Sequence, residues 1–185
     1  MRGGANPEHR PFALSWPTSR RPKTAAHMRT LILLRHAHAE PAAAGQADVD
    51  RALSAEGLAE AEAAGAWLAA QGLAPDRVLC SPARRTRETL EAVLRGIGFV
   101  EQRLVDGIYE ATAGALAELV DEHHEVERLM LVGHNPGLER LAALMHSGQS
   151  GDYRGMPPGS VVVLHFPVDA AVEPGVASLS AFWWP

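Results

Sequence analysis

A single cysteine, Cys80, serves a chain of 185 residues. That excludes an internal disulfide framework and a zinc site built on several thiolates, and a reduced, cytoplasmic setting is the expectation. Lysine is almost absent as well: Lys23 stands alone and arginine carries the remaining positive charge, a compositional bias without a functional reading. No window approaches the roughly 20 apolar residues of a membrane span. Residues 1–27 lack the apolar stretch of a secretory signal. Rich in Arg, Pro and Ser, they are expected to form a disordered extension, with Met28 a candidate start directly before the first strand. Pro7, Pro11, Pro17 and Pro22 interrupt any amphipathic helix of the transit-peptide kind.

Basic residues are scarce beyond that extension. Five of the 17 Lys and Arg and one of the 22 Asp and Glu fall in residues 1–27, which leaves twelve basic against twenty-one acidic residues in 28–185. An acidic body argues against nonspecific nucleic-acid binding.

What is present is enough apolar residue, 46%, to bury one substantial core, so residues 28–185 are expected to form one domain. Thr30–Leu34 has the apolar run of a buried strand. Ser54 can cap a helix carrying Leu58, Ala61, Gly65 and Leu68, with Gly72 as its stop. Arg77–Cys80 predicts a short strand, and Ser81-Pro82 predicts the cap and first turn of a helix running to about Leu94. A weaker strand over Gln102–Val105 leads to Asp106–Glu110. Leu116, Leu119, Val120 and His123 mark a helix, Leu129–Val132 a strand, and Leu138, Leu141, Leu144 and Met145 another helix. Strands near Val161–Phe166 and Val176–Trp183 complete the chain. Alternating strands and helices predict a three-layer α/β/α fold with a mostly parallel sheet.

Three junctions after strands carry groups suited to a phosphoryl anion: Arg35-His36-Ala37, Ser81-Pro82-Ala83-Arg84-Arg85, and Gly133-His134-Asn135. In a parallel sheet such junctions share one edge, where open α/β sheets hold ligands. A guanidinium fork grips phosphate oxygens, and a neutral imidazole nitrogen can attack phosphorus.

These motifs, in this order across residues 28–165, resemble the histidine phosphatase superfamily, the phosphoglycerate mutase-like proteins. Arg35-His36-Ala37, Ser81-Pro82-x-x-Arg85-x-x-x-Thr89 and Val132-Gly133-His134-Asn135-Pro136-Gly137 carry the likeness. Asp48-Val49-Asp50-Arg51-Ala52-Leu53-Ser54 with Gly57 points to the short phosphohistidine phosphatases of the SixA type. The resemblance implies that His36 is the nucleophile that becomes phosphohistidine, and that Arg35, Arg85 and His134 form the phosphate pocket. The arginines are then expected to lower the pKa of His36 and keep it unprotonated. With arginines supplying the positive charge, no metal or other cofactor is expected.

Glu110, at the spacing of the leaving-group acid in many relatives, is either that acid or a solvated loop carboxylate. Arg51 is either an accessory phosphate or loop-ordering contact or a surface charge. His38 is expected at the pocket rim, Arg84 and Arg87 on the surface, and Cys80 and the Trp183-Trp184 pair in core packing. Met156–Ser160 should form a pocket wall. The short connection between Arg85 and His134 favours phosphohistidine on a protein, such as a histidine phosphotransfer domain. A small phosphate ester is the alternative, and a catalytically inactive phospho-binding module is the third reading. A monomer is expected.

Overall fold

A computed structural model describes residues 28–152 and 155–185, and the expected extension over residues 1–27 lies outside the described residues. The chain runs β1 (Met28–Arg35), α1 (Ala55–Ala70), β2 (Arg77–Cys80), α2 (Arg84–Ile97), β3 (Glu101–Leu104), α3 (Ala113–Asp121), β4 (Arg128–Gly133), α4 (Gly137–Ser147), β5 (Val161–Pro167) and β6 (Ser178–Trp183). Short 3-10 turns at Asp48–Asp50 and Asp106–Ile108 precede α1 and α3. The strands form one sheet in the order β3-β2-β4-β1-β5-β6. β3, β2, β4 and β1 pair in parallel, while β5 runs antiparallel to β1 and β6 antiparallel to β5. The fold is thus α/β with a mixed, mostly parallel sheet.

The uninterrupted apolar run of β1 follows from this layering, because a strand covered on both faces buries every side chain. Leu31 and Leu33 join the core on the side of α3 and α4, with Leu131, Leu138 and Leu141. Ile32 and Leu34 point the other way, to Leu68, Leu90 and Val93 of α1 and α2. Cys80 belongs to that second core, and burial pushes its thiol up to about 12, so it is unreactive at neutral pH. Trp183 stacks on Trp67 at 5.5 Å between centroids, whereas Trp184 is exposed. Among the described residues, no helix is long and apolar enough to cross a membrane.

Helices α1 and α2 approach each other through glycine. A Cβ on Gly65 would lie 2.7 Å from the Val93 carbonyl oxygen, and one on Gly96 would lie 2.8 Å from the Gly65 carbonyl carbon. Both obstacles are backbone and cannot rotate away. Gly65→Ala is therefore expected to destabilise by about 1–3 kcal/mol, despite alanine's better helix propensity, and to lower Tm by several degrees. A Cβ at Gly114 on α3 would meet only Thr112 Oγ1, at an ordinary 3.9 Å, so Gly114→Ala should raise Tm instead. Equal shifts for both variants would contradict the close approach.

Two expected boundaries need correction. α2 begins at Arg84 with Ala83 as its N-cap and no side-chain cap bond, because the Ser81 hydroxyl is committed elsewhere, 2.8 Å from His134 Nε2. α3 ends at Asp121, so His123 lies in the turn that follows it. Ser54 does cap α1, its side chain accepting from Gly57 N–H at 3.0 Å.

Candidate active site

The carboxyl ends of β1, β2 and β4 lie side by side, with Arg35 paired to Gly133 and Cys80 to Val132. The next residue of each strand therefore emerges at one edge. His36 N–H donates to the Gly133 carbonyl at 3.0 Å and Ser81 N–H to Val132 at 3.0 Å. These bonds set the His36 and His134 rings 5.0 Å apart between centroids. Arg85, in the first turn of α2, reaches the same place.

His36 is poised as a neutral nucleophile. Its Nδ1 lies 2.8 Å from the Ala37 carbonyl, and since a carbonyl only accepts, the ring proton sits on Nδ1 and the lone pair on Nε2. Burial pulls its pKa down to about 4, aided by Arg85, Arg35 and Arg51 and opposed by the Ala37 bond. The sequence pointed to the arginines, but loss of solvent is the larger cause. His134 is lowered to about 3, by burial first and then by His36 and Arg85. Once substrate titration is subtracted, the acid limb of kcat/KM is expected near pH 4; a limb at 6.5 would contradict this geometry. Between about 4 and the ordinary 6.5 the unfolded chain binds a proton that the folded His36 refuses. Stability therefore rises with pH across that window and is lost as pH falls through it.

Arg85 is only 6% exposed and its charge is answered by Asp48. Nη1 donates to the Asp48 backbone carbonyl at 2.7 Å and Nη2 to Oδ2 at 2.9 Å, with Nη2 also 3.4 Å from His134 Nδ1. Asp48 further accepts from Tyr109 Oη at 2.5 Å and from Arg51 Nη1 at 2.9 Å. Tyr109, then Arg51, then Arg85 hold this carboxyl well below the usual carboxylate range. The Tyr109 ring also stands edge-on to His134 at 5.3 Å. Asp48 and Tyr109 have no assigned role in the sequence reading. The available signal was that a buried arginine needs a counter-charge, but nothing in the chain's order says which carboxylate supplies it.

Arg35 donates to the Met156 carbonyl, which also accepts from Asn135 Nδ2 at 3.1 Å, so Met156–Ser160 walls the site through its backbone. Arg51 donates to the Glu40 carbonyl at 2.8 Å as well as to Asp48, a loop-ordering arrangement. Glu110 is exposed and lies on the rim of a cleft of about 500 Å³ beside His134, shared with Tyr109, Thr112, Asn135 and Arg140. Arg84 is exposed and paired with Glu88. His38 is exposed and bonded to Glu60 at 2.6 Å. With Glu56 these two form a group whose donor atoms lie within 4.8 Å of one another, the described residues best placed to hold a metal. It does not include His36.

A lone pair on a dehydrated imidazole, flanked by two arginines and a second histidine, can accept a phosphoryl group and spread its charge over fixed donors. An uncharacterized protein of Mycobacterium tuberculosis is 36% identical over 150 residues, which cover 76% of this chain and 93% of that protein. A protein from Agrobacterium tumefaciens assigned as phosphohistidine phosphatase SixA superposes with a TM-score of 0.73 at 32% identity, over 85% of this chain and 98% of its own. The histidine phosphatase SixA solved with tungstate shares the fold, with a TM-score of 0.72 at 20% identity over 84% and 97% of the two chains. The family model for branch 1 of the histidine phosphatase superfamily matches residues 31–140, and this chain belongs to that superfamily.

Proposed function

We propose that the protein is a metal-independent phosphatase that works through a covalent phosphohistidine at His36. His36 Nε2 attacks phosphorus, and the bond from phosphorus to the leaving group breaks with its electron pair departing on that group. Water then attacks the phosphohistidine, releases inorganic phosphate and restores His36. Arg35, Arg85 and His134 hold the phosphoryl oxygens. The observation that carries this reading is the His36 ring itself: its Nδ1 is bound to the Ala37 carbonyl, which leaves Nε2 for phosphorus.

The substrate class we propose is phosphohistidine on a protein surface. Only the rest of α2, β3, a 3-10 turn, α3 and β4 separate Arg85 from His134, and Glu110, Thr112 and Arg140 on the cleft rim are exposed. A site of this shape suits a phosphoryl group presented by a partner, and the likeness to a SixA protein supports the same class. The specific observation that favours a small phosphate ester instead is Glu110 on the rim, since an alkoxide leaving group needs a proton and imidazole, with a reference pKa near ~6.5, needs far less help.

A phosphohistidine-bearing protein and a set of small phosphate esters, assayed side by side with EDTA present, separate the two. A kcat/KM preference of at least tenfold for the protein is expected, about 1.4 kcal/mol of transition-state discrimination. The reverse preference would reassign the substrate class. Glu110→Gln should cost turnover of alkyl esters and leave phosphohistidine nearly untouched; equal loss on both would contradict the leaving-group argument. Phosphate binding without release from any substrate would favour an inactive binding module.

A further inference from the structure

We infer that Ser81 is a positioning residue: its hydroxyl donates to His134 Nε2 and thereby keeps the ring proton on Nδ1, facing the phosphoryl group. Ser81 is fully buried, so its hydroxyl proton must find an acceptor within the protein. Among the described residues, Oγ has two neighbours in hydrogen-bond range, His134 Nε2 at 2.8 Å and Ala83 N–H at 3.5 Å. The amide can only donate, which leaves Nε2 as the acceptor for the serine proton. The opposite tautomer, with Nε2–H donating to Ser81, would strand a buried hydroxyl proton. It would gain only the longer contact from Arg85 Nη2 to Nδ1, at 3.4 Å, and Nη2 already donates to Asp48 Oδ2 at 2.9 Å. The shorter, buried bond decides the tautomer.

The consequence is that His134 Nδ1–H faces Arg85 Nη2–H across 3.4 Å, a donor–donor contact that a phosphoryl oxygen accepting from both would relieve. His134 is neutral at pH 7, with its pKa lowered to about 3, so a tautomer and not a charge determines whether it donates or accepts there. Ser81 is itself held in place from both sides. Its N–H donates to Val132 on β4, two residues before His134, and its carbonyl accepts from Thr86 Oγ1 at 2.8 Å. This also accounts for a serine that leads into α2 without capping it.

The use of that donor rests on the phosphatase reading above, whereas the tautomer does not, and the two can fail separately. In the full chain labelled with 15N, long-range proton–nitrogen correlation spectra at pH 7 should show His134 with a protonated, pyrrole-type Nδ1 and a pyridine-type Nε2. The reverse pattern in the wild-type protein overturns the proposal whatever the activity proves to be. Ser81→Ala should move the ring toward the Nε2–H form and lower kcat by about 10–100-fold, as loss of an outer partner does elsewhere, while Ser81→Thr, which keeps the hydroxyl, restores both. A Ser81→Ala protein with the wild-type tautomer, or with the changed tautomer and wild-type kcat, also overturns it. Should Ser81→Ala fail to fold, the wild-type spectrum alone decides.

Discussion

His36→Ala is expected to reduce phosphate release by about 10⁴-fold or more and to abolish the acid-labile phosphoenzyme that rapid quenching with radiolabelled substrate traps in the wild-type protein. The size follows from the role: with no Nε2 there is no covalent intermediate, and the remaining donors can only bind the phosphoryl group for attack by water. The fold should survive, because the ring's hydrogen bond to the described residues is to its own neighbour, Ala37, and β1 is held by β4 and β5 through backbone bonds. An unchanged Tm is therefore part of the expected result. Turnover within tenfold of wild type would remove His36 from the mechanism.

Arg85→Ala is expected to lower kcat by about 10²–10³-fold, the range seen when one fixed donor to a developing oxyanion is lost. It removes a donor to the phosphoryl oxygens and frees Asp48, which keeps Arg51 and Tyr109 as partners and so leaves a carboxylate beside the incoming phosphoryl group. Inhibition by inorganic phosphate should weaken with kcat. Arg85→Lys should recover little, because a point charge cannot span the Asp48 carbonyl, its carboxylate and a phosphoryl oxygen as the planar fork does. The acid limb of the pH profile should stay near 4 in Arg85→Ala, since burial and not Arg85 is the first cause of the low His36 pKa. A limb that moved up toward 6.5 with kcat unchanged would show that Arg85 tunes His36 without clamping phosphate.

Much of the frame was legible because its signals are local. Leu31–Leu34 had to be a strand covered on both faces, and Ser54 with Gly72 bracketed α1, because capping and apolar runs act within a few residues. The convergence of the three junctions was legible for a topological reason, since parallel strands deliver their following residues to one edge, whereas the choice of Arg85 over Arg84 and Arg87 came from the family resemblance. Ser81 was misread for an equally physical reason. Serine before proline is a good helix cap when only the local chain is considered, but His134, 53 residues away, offers a buried partner that the local chain cannot reveal.

By itself, then, the order of residues determined the strands and helices and the shared edge, and through its family resemblance which two histidines and two arginines meet there. The tertiary structure alone decided how those groups are set: that His36 is dehydrated enough to stay neutral well below pH 6, that Asp48 and Tyr109 close around Arg85, and that Ser81 turns His134 into a donor. The physical reason is range. Propensity and pattern act over a few residues along the chain, whereas burial, tautomer and counter-charge depend on atoms brought within about 3 Å by hydrogen bonding from segments 37 to 61 residues apart.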